Sequence, residues 1–131
     1  MPKKTIFSED YSEIHVDEDS GIIHAIWKGF LKYDDVKKGC EVMTDYIKNN
    51  DTKFHLSDHR SLKVLSKEVQ NYLQQEWFPS VEKEGLTKIG AVVAEDVFAK
   101  ATVDKVNTVK LGKMTISTFD SPSECEKWLA I

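Results

Sequence analysis

Residues 12–17, Ser-Glu-Ile-His-Val-Asp, alternate in polarity: Ile14 and Val16 fall on one side, Glu13, His15 and Asp17 on the other. That period of two marks a half-buried strand, and its polar face places it at a sheet edge. Glu18-Asp19-Ser20-Gly21 is turn chemistry. Residues 22–28 form a second strand with apolar residues on both faces, Ile23, Ala25 and Trp27 against Ile22 and Ile26. Such a strand belongs inside a sheet covered on both sides. The short connection predicts an antiparallel hairpin. Val36, Cys40, Met43 and Ile47 then recur at the spacing of an amphipathic helix over 33–48, with Asp34 and Asp35 at its positive N-terminus. Gly39 inside that helix costs about 1 kcal/mol relative to Ala, which close packing against a neighbour would explain.

Phe54-His55-Leu56-Ser57 reads as a short strand, and Asp58-His59-Arg60-Ser61 as the polar loop after it. Ser66 can cap a second helix, whose stripe is Val69, Leu73 and Trp77, widened by Tyr72 and Val81. Pro79 must kink or restart this helix, because it lacks the N–H that would bond Gln75. Ile89-Gly90-Ala91-Val92-Val93-Ala94 has the near-continuous apolarity of a buried parallel strand. Phe98, Ala101, Val106 and Val109 suggest a third helix over 96–109. Residues 113–119 alternate as the last strand. Ser121-Pro122-Ser123-Glu124 combines a capping box with a proline at the first helical position, and Cys125, Trp128 and Leu129 supply the apolar face of a terminal helix. Residues 1–10 are charged and irregular, either a loose start or an extra edge strand. The expected order is β-β-α-β-α-β-α-β-α: one domain over residues 1–131, with a five-stranded, mixed but mostly parallel sheet and four helices.

Composition narrows the function. In 131 residues there are 18 Lys+Arg against 22 Asp+Glu, and Arg60 is the only arginine. An acidic chain with one arginine is poorly equipped to neutralise phosphates, so nucleic acid is not an expected partner. No apolar run approaches the roughly 20 residues of a membrane span, and the N-terminus has no signal-peptide pattern; the expected location is the cytoplasm. Cys40 and Cys125 are 85 positions apart in no metal-binding spacing, and read as buried, reduced thiols.

Several groups could carry chemistry. His55, Asp58 and His59 are spaced like metal ligands, but in an extended strand His55 and His59 sit about 13 Å apart at Cα, with Asp58 on the opposite face. No metal or other cofactor is therefore expected. Arg60 in a strand-to-helix loop could take an anion with the helix start at Ser66, or could pair with Asp58 or Asp34 as scaffolding. Trp27, Tyr72, Trp77, Phe78 and Trp128 are a rich aromatic set. They fill a core, or the first four line an apolar pocket beneath the Pro79 kink. No nucleophile elbow, phosphate loop or acid/base constellation occurs, so no catalytic residue is assigned and the chain is not read as an enzyme.

The ordered features Ile26-Trp27-Lys28-Gly29, Gly39-Cys40, Ser57-Asp58-His59-Arg60, Glu76-Trp77-Phe78-Pro79, Lys88-Ile89-Gly90-Ala91-Val92-Val93 and Phe119-Asp120-Ser121…Glu126-Lys127-Trp128-Leu129 span nearly the whole chain. In them the chain resembles the SpoIIAA-like group, the small bacterial domains of STAS/SEC14-like type. The resemblance implies an α/β fold shared with phospho-regulated partner-switching proteins and with lipid-binding CRAL-TRIO domains. The regulatory relatives carry an Asp-Ser-Ser-Gly-type motif whose serine is phosphorylated. Here Asp58-His59-Arg60-Ser61 and then Ser66 occupy that neighbourhood without matching the motif, which makes Ser61 and Ser66 the phosphosite candidates. Two functions follow as expectations. One is a regulatory module binding a protein partner, or a second copy of itself, around Asp58, Arg60, Ser61 and Ser66. The other is a carrier or sensor of a small hydrophobic ligand or lipid held by Trp27, Tyr72, Trp77 and Phe78.

Overall fold

The computed structural model describes residues 3–97 and 108–131. Its centre is a seven-stranded mixed sheet, formed by β1 (Lys3–Glu9), β2 (Ser12–Asp17), β3 (Ile23–Phe30), β4 (Phe54–Val64), β5 (Lys88–Val92), β6 (Thr108–Leu111) and β7 (Met114–Phe119), in the order β1-β2-β3-β4-β5-β7-β6. The helical elements are α1 (Tyr33–Asn50), α2 (Lys67–Tyr72), a π-helical turn (Leu73–Trp77), α3 (Phe78–Lys83) and α4 (Pro122–Leu129). The α/β class, the mixed sheet and four helices agree with the sequence. Five strands do not: β1 lies outside β2, which is therefore not an edge, and β6 forms a hairpin with β7. Three strand pairings are parallel, β3–β4, β4–β5 and β5–β7, and the other three are antiparallel, so the sheet is mixed without a parallel majority.

The β2–β3 hairpin forms as its pattern requires. Asp17 Oδ1 accepts the Asp19 N–H at 2.9 Å, and the Gly21 N–H reaches the Asp17 carbonyl at 2.8 Å, with Gly21 at φ 76°. Ile23, Ala25 and Trp27 enter the larger core with Ile14 and Val16, beneath the Val36–Cys40–Met43–Ile47 stripe of α1. Gly39 is where α1 meets the sheet most closely: a Cβ there would stand 2.8 Å from Trp27 Cη2. The α2–α3 segment joins the same layer through Val69, Trp77 and Val81. A smaller core of Ile22, Leu56, Val92, Cys125 and Leu129 lies on the opposite face, under α4. Ser121 caps α4, its Oγ accepting the Glu124 N–H at 3.5 Å.

One local reading is corrected, one takes a particular form, and one falls largely outside the described residues. The predicted loop at 58–61 is strand, because β4 continues to Val64. Its pairing with β3 jumps from Ile26↔Asp58 to Lys28↔Ser61, which leaves one extra residue in β4, a bulge. The predicted kink at Pro79 takes the form of the π turn just before it, where the Phe78 N–H bonds the Leu73 carbonyl. A widened turn lets the helix absorb the amide that proline lacks. Of the helix predicted over 96–109, residues 98–107, including Phe98, Ala101 and Val106, lie outside the described residues, while 108 and 109 belong to β6.

Candidate functional site

Between β4 and the α2–α3 segment the larger core is not filled. A cavity of about 310 Å³ is lined by Trp27 from β3, by Val36, Cys40 and Met43 from α1, and by Leu73, Gln74, Trp77 and Phe78 around the π turn. Its floor is the sheet, with Ile89 and Ala91 from β5 and Ile116 from β7. The β4 contribution follows strand alternation: His55, Ser57 and His59 face it, and the bulge then brings Leu62 to the same side. Among the described residues, none that lines it is Asp, Glu, Lys or Arg.

Trp77 fixes the roof. Its indole N–H donates to the Cys40 carbonyl at 3.2 Å and to Thr44 Oγ1 at 3.0 Å, while the Thr44 hydroxyl donates to the Cys40 carbonyl at 2.9 Å. Its ring stands edge-on to His55 at 5.7 Å and tilted against Phe78 at 5.7 Å. At the outer end the exposed Gln70 side chain donates to the Leu65 carbonyl at 2.8 Å and latches the β4–α2 connection.

The polar groups of the cavity are uncharged at neutral pH. Burial pushes the His55 imidazole down to about 4, against a hydrogen bond to Ile23 that favours the charged form. Burial likewise lowers His59 to about 4. His55 Nδ1 is 2.9 Å from the Ile23 carbonyl oxygen. A carbonyl only accepts, so Nδ1 carries the proton and Nε2 of the neutral ring is an acceptor. Among the described residues the side-chain hydrogen bond found for His55 is this one, at Nδ1. Ser57 Oγ lies 2.7 Å from His59 Nε2 and shares a proton with it.

The sequence-predicted site residues divide between two places. Trp27, Trp77 and Phe78 line the cavity, and Tyr72 does not: it packs edge-on against Tyr33, 5.5 Å away, outside it. Trp128 sits under α4 against Phe119. Asp58 and Arg60 are paired: Arg60 Nη2 donates to Asp58 Oδ2 at 2.8 Å, Arg60 Nε to Oδ1 at 3.0 Å, and the Arg60 backbone N–H to Oδ1 at 3.0 Å. Burial alone would raise the Asp58 carboxyl, but these bonds outweigh it and hold it below its ordinary value. Of the two acidic residues offered by the sequence as partners for Arg60, it is Asp58 that pairs with it. Ser61 is exposed on β4 at the bulge, and the Ser66 hydroxyl accepts the Val69 N–H at 3.2 Å as the α2 cap. His55, Ser57 and His59 were not singled out as a binding set. Their shared face is legible in the i, i+2, i+4 spacing, but nothing in the sequence says that the face is roofed. No family model and no curated protein matches the chain.

Proposed function

We propose that the protein is a non-catalytic binding module that holds a small, mainly apolar molecule between β4 and the π turn, as carrier or sensor. The observation that carries this reading is the cavity: about 310 Å³, apolar walls and a few convergent polar groups, within the range of small-molecule sites. The π turn in its wall adds support, since such turns recur at functional sites. The Ser57–His59 pair has the spacing of a nucleophile and base, but a histidine held near 4 is a weak base, and no carboxylate orients it among the described residues. We read it as a polar anchor.

Strands β3, β4, β5 and β7 lie side by side in chain order and parallel, with helices on both faces, which supports reading the fold as SpoIIAA-like. In that reading a protein partner would sense occupancy at Ser61, exposed one position before the cavity-lining Leu62. Intact-mass measurement of natively expressed protein tests this second step; a phosphate localised to Ser61 is its expected sign, and unmodified protein under all growth conditions removes it. For the cavity itself, native mass spectrometry and thermal shifts with a panel of small aromatic and aliphatic compounds should show binding by wild type. An Ala91→Leu variant, which fills the floor, should fold and not bind. A cavity that accepts no apolar compound would refute the proposal.

A further inference from the structure

Resting on the binding reading above, we infer that the ligand is a neutral aromatic-sized molecule of about a dozen non-hydrogen atoms carrying one hydrogen-bond donor, an alcoholic or phenolic hydroxyl, which it gives to His55 Nε2.

Size comes from the volume. A cavity of about 150 Å³ holds a benzene ring, so 310 Å³ holds roughly twice as much, a bicyclic ring system or a short branched chain.

Polarity comes from His55. The imidazole is 1% exposed, and its Nδ1–H is committed to the Ile23 carbonyl. The remaining nitrogen is a fixed acceptor on a residue lining the cavity. A ligand that brings only acceptors, such as an ether or ketone, leaves it unpaired. The Ser57–His59 pair places no such demand. With the proton on Ser57 its oxygen can still accept, and with the proton on His59 Nε2 the Ser57 hydroxyl can donate. A hydroxyl can therefore donate to His55 and still be met by Ser57, two residues along the same strand face.

Charge comes from what surrounds the site. Among the described residues no lysine or arginine lines it, both histidines resist protonation, and Arg60 is engaged by Asp58. A carboxylate would be buried without a counter-charge, and would face the lone pair of His55. Anionic fatty acids and aromatic carboxylates are disfavoured on that ground, and a cation would meet no carboxylate among the described residues.

Calorimetric titration with 2-naphthol, 2-methoxynaphthalene and 2-naphthoate at pH 7.5 tests the inference. These probes share one ring system and differ in offering a donor, an acceptor only, or an anion. We expect 2-naphthol to bind about tenfold or more tightly than its methyl ether, and 2-naphthoate not to bind. His55→Phe should lose the preference for the naphthol over the ether while still binding both. If that variant fails to fold, the wild-type comparison decides alone. Equal affinity for naphthol and ether, or binding of the naphthoate, overturns the inference and leaves the binding module standing. Failure of all three with wild type overturns both.

Discussion

Lowering the pH from 7 to 5 should destabilise this protein. The cause is three histidines that the fold keeps neutral. His24, His55 and His59 are each held down to about 4, in every case chiefly by burial. In the unfolded chain a histidine titrates near 6.5. Between those values the unfolded chain takes up protons that the folded chain refuses, so stability falls as pH drops from about 6.5 and levels off below about 4. For the fully buried His55, going from pH 7 to pH 5 favours unfolding by about 2 kcal/mol. His24 and His59 act in the same direction, so that figure is a floor. It is a large part of the roughly 5–15 kcal/mol that holds a typical domain folded. Asp58 does not contribute in this window. Its carboxyl is lowered, so its share of stability is intact above its ordinary value and is lost only in stronger acid. Urea unfolding at pH 7, 6 and 5 should give a falling free energy at constant m-value. Proton NMR of the folded protein should show His55 ring resonances that do not move above pH 5. A flat stability between pH 7 and 5, or a folded His55 that titrates near 6.5, would refute the reasoning.

Three further outcomes follow from the packing. A Cβ at Gly90 would collide with Cys125 Sγ, so Gly90→Ala should cost about 1–3 kcal/mol or more in chemical unfolding, and Cys125→Ala in the same chain should recover part of it; additive losses would contradict the close approach. Both thiols are buried, and burial pushes Cys125 up to about 12 and raises Cys40 further, so Ellman's reagent should label neither until the protein unfolds; rapid labelling of the native state would show the cores to be open. Arg60 is half-exposed but its partner Asp58 is buried, so Arg60→Ala, which strips the Nε and Nη2 donors from that carboxylate, should cost about 1–3 kcal/mol, and phosphate should leave the melting temperature of both forms unchanged; a phosphate shift lost in the variant would restore an anion site at Arg60.

The elements whose residues answer to one neighbour were the ones readable in the sequence. Val36, Cys40, Met43 and Ile47 are all buried beneath α1, and Ser66 and Ser121 cap the helices they precede. Gly39 was also informative, its tight contact being with Trp27. Misreadings came where polar residues satisfy one another inside regular structure. Asp58-His59-Arg60-Ser61 looks like loop chemistry because each residue is polar. The Asp58–Arg60 pair and the Ser57–His59 bond let the same residues lie in a strand. The cavity was half legible. Trp27, Trp77 and Phe78 announced an aromatic cluster, but whether large side chains fill a space or surround one depends on how far apart the backbone elements stand. Here that separation is set by the π turn and by the indole of Trp77 hydrogen-bonded to α1.

The outermost strand β1 has a consequence for how copies of this chain behave in solution. An unpaired strand edge is a template on which another chain can add hydrogen bonds and begin sheet-to-sheet polymerisation. The β1 edge opens with Lys3 and Lys4, both exposed, and its register slips at a bulge between Thr5 and Phe7. An incoming strand would have to accommodate two charged, solvated lysines and would lose ladder bonds at the bulge. The charged, irregular start of the chain thus works as an end-stop, keeping the seven-stranded sheet from growing into a fibre along that side.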